Sequence, residues 1–234
     1  MSKNLEKELT ELLNREKAKI IESTKGYFES KKVNGIAQMI GRRYGFFWEE
    51  IVKKVLECSD VKNLGGKIYY IDFIEKWIEI NMKSDNECCN DSSKKLLKKF
   101  LNENTGTSEQ DLCDLNFEYN DKKLGVDTKF RFISNDSNTV REIANSAKHL
   151  KMMGYKPVLL FRRERSESLS SPLKRFEKEG WTIKCGKDAS DFLKKVTDFD
   201  IDEWINSNVN FWGDLKEYQK WLESKGFPKE RFDF

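Results

Sequence analysis

The sequence predicts an α/β (α+β) fold in which a central mixed β-sheet is flanked by helices. Three patterns carry that expectation. Between Asp111 and Phe132 apolar and polar residues alternate with period two on both sides of a polar break, as in a half-buried hairpin. After it, a helical stretch lies between two apolar strands, an order that favours parallel pairing through a crossover. Before it, Trp48, Ile51, Val52, Val55 and Leu56 fall on one face of a helix. With 234 residues the chain can bury a sizeable core. It reads as a single domain over residues 1–234, with an N-terminal helical segment at 1–30 and a C-terminal helical extension at 200–234.

In chain order, Leu5, Leu9, Leu12, Leu13, Ile20 and Ile21 form the apolar stripe of a helix over Asn4–Ile21. It suits packing or dimerisation, but holds too few heptads for a long coiled coil. Gly65–Phe73 is compatible with a strand, and its Ile71, Ile74 and Ile78 also suit a helix. Ser84–Ser93 is a polar linker. Asn138–Met153 is a helix with Val140, Ile143, Ala144, Ala147 and Leu150 on one face and Gly154 as its stop. A buried strand at Lys156–Phe161, a helix at Leu173–Glu179, a strand at Trp181–Cys185 and a helix at Ala189–Val196 follow. Trp204, Phe211, Trp212, Tyr218, Trp221 and Phe227 run through two short helices, where core packing is the expected role rather than base stacking.

The hairpin fixes its own register. A two-residue turn at Asn120-Asp121 pairs Tyr119 with Lys122, Phe117 with Leu124, Leu115 with Val126 and Asp114 with Asp127, leaving the apolar residues on one face. Opposing Asp111 to Asp127 instead would throw them onto opposite faces, so Asp114 is the expected partner. Two carboxylates directly across a strand pair repel and weaken a sheet. A bound divalent cation removes that objection.

Asp114, Asp127 and Lys129 are spaced D-x12-D-x-K, which resembles the signature of the PD-(D/E)xK nucleases, the superfamily of most type II restriction endonucleases. Cys113 stands where that motif has proline, and residue 127 is Asp where Glu is an alternative. The resemblance extends upstream to Gly45-Phe-Phe-Trp48-Glu49-Glu50, which is similar to the superfamily's first core helix, with Glu49 the better match and Glu50 the weaker. The order of elements is similar to the αβββαβ restriction-endonuclease-like core, save for a first strand that the sequence does not place.

Composition is compatible with this without suggesting it. Lys and Arg number 43 against 40 Asp and Glu, a net charge of +3, so the total says nothing about partners. Arg42 and Arg43 beside the Glu49 helix, Arg131 beyond Lys129, and Arg162 and Arg163 after a strand could contact DNA phosphates or merely solvate exposed ends. Five cysteines without C-x-x-C spacing and no leader imply a reduced, cytoplasmic protein, and Cys88-Cys89 without a nearby histidine is a poor zinc site. No apolar run spans a membrane. His149, the only histidine, excludes two-histidine nucleases and phosphatases. Phosphate-cradling glycine loops are missing, so no nucleotide cofactor is expected.

The resemblance implies a Mg²⁺-dependent type II endonuclease that cleaves double-stranded DNA at a short sequence to leave 5′-phosphate ends, with Mn²⁺ able to substitute and a homodimer matching a palindromic site. It assigns Asp114 and Asp127 to the metal, Lys129 to the attacking water or the charge building on phosphate, and Glu49 to an auxiliary acid. The alternatives are a junction-resolving or repair nuclease on the same fold, or a non-catalytic DNA-binding module.

Overall fold

The structure, a computed structural model, describes residues 3–29, 33–81, 110–130, 137–164, 170–210, 216–225 and 234. The Ser84–Ser93 linker with Cys88 and Cys89, Arg131 and Phe132, and Phe211, Trp212 and Phe227 lie outside the described residues. Two long helices come first, α1 (Lys3–Glu29) and α2 (Val33–Glu57). Strands β1 (Lys62–Gly65) and β2 (Ile68–Tyr69) lead into α3 (Tyr70–Asn81), so the ambiguous 65–73 stretch is part strand and part helix. Strands β3 (Asp111–Cys113), β4 (Leu115–Tyr119) and β5 (Lys122–Lys129) carry the hairpin. Then follow α4 (Ser137–Met152), β6 (Lys156–Phe161), α5 (Ser170–Glu179), β7 (Thr182–Cys185), α6 (Lys187–Thr197), α7 (Ile201–Asn208) and α8 (Lys216–Ser224).

Five strands form a mixed sheet in the order β1-β4-β5-β6-β7. The first three are antiparallel, and β5, β6 and β7 are parallel through the crossover helices α4 and α5. Strand β1, which the sequence did not reveal, is too short and polar to show a period. The turn at Asn120 and Asp121 has both residues at positive φ, 49° and 57°, as a type I′ turn requires, and Leu115↔Val126, Phe117↔Leu124 and Tyr119↔Lys122 are paired as expected.

Helices cover both faces of the sheet. On one, α1, α2 and α6 to α8 bury Leu9, Ile20, Phe47, Ile51, Leu193 and Leu222 against Leu115, Phe117, Val126 and Leu160. Helix α1 therefore lays its leucine stripe on α2 of its own chain. On the other, α3, α4 and α5 pack Phe73, Ala147, Leu150 and Phe176 against Leu159, Phe161 and Cys113. Strand β6 is buried on both faces, which is why Val158–Phe161 is apolar without alternation. The C-terminal aromatics Trp204 and Trp221 join the first core, the former buried and the latter partly so, and Phe234 stacks on Phe130 with centroids 5.4 Å apart. Among the described residues no helix is long and apolar enough to cross a membrane.

Gly125 sets how closely α4 lies on the hairpin. A Cβ there would sit 3.0 Å and 3.3 Å from the two terminal carbons of Leu150, and 3.5 Å from Cys113 Sγ. Gly125→Val should therefore overpack this contact and destabilise the protein by about 1–3 kcal/mol in urea unfolding. An unchanged midpoint would contradict the close approach.

Candidate active site

The site begins where the sheet forks. Strand β5 runs on beside β6 to Lys129, but β4 leaves it at Leu115, and β3 pairs instead with β2, Ile68 opposite Cys113 and Tyr69 opposite Asp111. Asp114 is the bend between the two paths. This corrects the regular Asp114–Asp127 strand pair expected from the sequence, because the ladder ends at Leu115↔Val126. Asp114 N still donates to Val126 O at 3.0 Å, and the Asp114 carboxylate takes over beyond. Its Oδ2 accepts from Thr128 N at 2.7 Å and Thr128 Oγ1 at 2.8 Å, so a side chain serves as acceptor for a backbone donor that the departing strand no longer satisfies.

The two carboxyls meet even so. Asp114 and Asp127, each under a tenth exposed, share a side-chain hydrogen bond, and Lys129 Nζ lies 2.5 Å from Asp127 Oδ1. Desolvation and the Asp114 charge push Asp127 up to about 8. Burial works against ionised Asp114 as well, but Lys129 and the hydrogen bonds from Asp127 and Thr128 outweigh it and hold Asp114 below the usual carboxylate range. The pair thus keeps one proton between its members at neutral pH. Burial disfavours the Lys129 ammonium, yet Asp127 and Asp114 raise it overall, so it stays charged.

Helix α2 supplies the facing wall. Trp48 is fully buried and its Nε1 donates to Leu160 O at 3.4 Å, which ties the helix to β6 and turns the next residue, Glu49, toward the fork. A cleft of about 260 Å³ is walled by Gly41, Arg42, Gly45, Phe46 and Glu49 from α2 and by Asp114, Thr128, Lys129 and Phe130. Glu49 is raised by desolvation and then by the Asp114 charge. Glu50 points elsewhere, 3.9 Å from Arg15 of α1. Asp127 lines no wall of this cleft and is in contact with it through Asp114 and Lys129. Among the described residues no three carboxylate, imidazole or thiolate side chains converge as a ready-made metal cage. Two touching carboxyls are nevertheless a donor set suited to a hard cation that completes its shell with water and phosphate oxygens.

Of the arginines expected near phosphate, Arg42 is on the cleft wall and exposed, and Arg43 is half-buried on the same helix. Arg163 lies over the Phe130 ring at 5.6 Å. Arg162 is turned inward, its NH1 3.2 Å from Asp202 and its guanidinium 6.0 Å from the Trp48 ring and 5.8 Å from that of Phe234. Its charge is spent on fastening α7 to the sheet, because desolvating a guanidinium demands a partner. Arg131 lies outside the described residues. His149 packs its ring on Phe73 and Tyr70 and lines no wall of the cleft.

Sequence reasoning missed three residues here. Thr128 looked like the apolar-face partner of Val126. Phe46, 59% exposed on the cleft wall, looked like one more aromatic of the helix. Lys67 bonds to Asp111, and its charge is felt by Asp114 and Glu49. The only signal for Lys67 was a lysine directly after the Gly65-Gly66 break. Comparison with family models, with curated proteins and with solved structures gives no match.

The shared proton makes the metal-free protein's stability pH-dependent. Between the usual carboxylate range and about pH 8 the folded pair holds a proton that the unfolded chain has released, so stability is greatest at the acid end of that window and falls as pH rises, by up to ~1.4 kcal/mol per pH unit. Urea unfolding in EDTA at pH 5 and pH 8 should show the decline in the wild type. Asp127→Asn, which removes the buried acid, should flatten it and be the more stable protein at pH 8. An equal decline in both proteins would place the proton elsewhere.

Proposed function

We propose that this protein is a Mg²⁺-dependent endonuclease of the PD-(D/E)xK kind, cutting double-stranded DNA at a short specific sequence. The observation that carries the reading is the buried Asp114–Asp127 pair with Lys129 in contact, placed at a strand fork beside an open cleft. Two buried acids in contact cost stability unless a shared proton, an ammonium or a bound cation offsets their charge, and a cation site gives the arrangement a use. The order of elements is compatible with it too: a helix bearing Glu49, the antiparallel strands β1, β4 and β5 with β2, α3 and β3 inserted after the first, a crossover helix and a parallel strand resemble an elaborated αβββαβ core.

Asp114 and Asp127 are the groups that would hold the cation, displacing the proton they share. Held by these carboxylates, Mg²⁺ would supply positive charge to polarise a phosphate oxygen and acidify a bound water. Lys129 carries a permanent ammonium with its tip on the same carboxyl pair, where it orients the water and steadies charge building on the phosphate. Thr128 keeps Asp114 in place through two hydrogen bonds. Glu49, on the opposite wall, would tune the position of a cation held there or of its water. Arg42 at the cleft mouth is the cation best placed to meet the DNA backbone.

Plasmid digestion with Mg²⁺ tests the reading: discrete bands are expected, structure-selective nicking would favour a junction or repair nuclease, and no cutting under any divalent metal would overturn enzymatic function. Asp114→Asn and Asp127→Asn should abolish cleavage while leaving DNA binding intact or tighter. Lys129→Ala should cost on the order of 10² or more in rate, and Glu49→Ala less. Mn²⁺ should support cutting, and Ca²⁺ should permit binding with little turnover. Cleavage in EDTA, or a Lys129→Ala protein cutting at the wild-type rate, would defeat the mechanism.

A further inference from the structure

The fork has a second cationic arm. Strands β1 and β4 pair antiparallel in the main sheet, and beyond the bend β2 and β3 pair antiparallel in a separate two-stranded sheet: Gly65 opposes Asn116 and Ile68 opposes Cys113. Two residues intervene on each segment between these pairs, Gly66 and Lys67 on one and Asp114 and Leu115 on the other, so the turn that carries Lys67 and the bend at Asp114 fall at the same level of the fork. Lys67 is thus held near Asp114, close enough for the Asp114 charge to act on it, on the segment opposite the bend. The bend is built rather than loose. Asn116 Nδ2 donates to Gly66 O at 2.7 Å, and the Asn116 amide fills the space a side chain at 65 would need, with a Cβ there 2.7 Å from Nδ2. Asn116 thus fixes the backbone from which Lys67 projects.

Lys67 Nζ donates to Asp111 Oδ2, and both side chains are 38% exposed. A half-exposed ion pair of this kind contributes little to stability and exchanges partners at little cost. Asp111, Asp114 and Glu49 all favour the charged form of Lys67. Lys129 cannot serve a second phosphate, because it is already engaged with Asp127. A cleft walled by Glu49 and Asp114, with Asp127 behind them, repels a polyanion unless cations offset the acids.

We propose that Lys67 is a phosphate-binding residue of this site, which grips the DNA backbone next to Asp114, and that Asp111 is the intramolecular counter-ion it leaves when DNA binds. The proposal rests on the nuclease reading and deepens it. Asp111 acts as a built-in competitor: it masks Lys67 in the free protein and weakens DNA binding through that lysine alone.

The experiment is fluorescence anisotropy of a labelled mixed-sequence DNA duplex of about 30 base pairs, titrated with the full chain in Ca²⁺ over a range of salt, since backbone contacts are sequence-independent and salt-dependent. Lys67→Met should weaken binding roughly 5- to 10-fold and lower the slope of log affinity against log salt by about one, while Lys67→Arg keeps the slope. Asp111→Asn should tighten binding a few-fold, and this gain should vanish in the Lys67→Met background. In Mg²⁺, Lys67→Met should raise KM and leave kcat within a few-fold. Wild-type binding and slope in Lys67→Met, or a gain from Asp111→Asn that persists without Lys67, would overturn the proposal and leave the nuclease reading standing. A wild-type protein that neither binds nor cuts DNA would overturn both.

Discussion

Asp114 and Asp127 cannot both be buried and ionised side by side at low cost, and the region around them is arranged to meet that constraint. Desolvation works against ionising either one, and the Asp114 charge adds to it at Asp127, while Lys129 and hydrogen bonds hold Asp114 low, so the pair retains a proton on the Asp127 side. Lys129 brings a compensating charge on the same strand, two residues from Asp127 and hence on the same face. Thr128, from between them, donates twice to Asp114. The backbone is fitted to the same end. Because β4 turns away at Asp114, that carboxylate can face the end of β5 instead of lying flat in a ladder, and its oxygen accepts the N–H that the fork would have left unsatisfied.

Helix α2 owes its two faces to the same place. Its buried face carries Ile40, Tyr44, Phe47, Trp48, Ile51 and Val55, and its cleft face carries Gly41, Arg42, Gly45, Phe46 and Glu49. A glycine within a helix costs up to ~1 kcal/mol relative to alanine. At Gly45 no atom of the described residues outside the helix's own local backbone lies within 4 Å of the position a Cβ would take, so packing among them does not require the glycine. The bare backbone instead keeps the wall low beside Glu49. Such a helix is poorly optimised for stability on one side and tightly packed on the other, as expected where a surface is shaped for a ligand.

Charge is sorted by depth. Arg162 is drawn inward to Asp202, Trp48 and Phe234 and so works as a structural tie. Lys129 is half-sheltered against the acids, and Arg42 and Lys67 remain at the rim. The net charge of +3 conceals this ordering, because the relevant quantity is which cations are already committed to an internal anion and which can still exchange.

Much of this was legible in the sequence. Period-two alternation, an Asn-Asp turn and apolar parity fixed the register of β4 with β5, and strand–helix–strand order gave the parallel half of the sheet, because both rest on local periodicity that burial enforces residue by residue. The D-x12-D-x-K spacing then brought Asp114, Asp127 and Lys129 together, since a hairpin of known register is a statement about distance. Other features depended on contacts between segments far apart in the chain. Strand β1 has no readable period, and only pairing with β4 makes it a strand. The fork at Asp114 exists because β2 captures β3, which removes a ladder partner that local pattern would have supplied. Arg162 looked like any basic residue at a strand end until α7 brought Asp202 to it. The sequence by itself determined which side chains share a face of the hairpin. The tertiary structure decided which of them are buried, paired and turned toward the cleft, because desolvation and ion pairing depend on neighbours that periodicity does not encode.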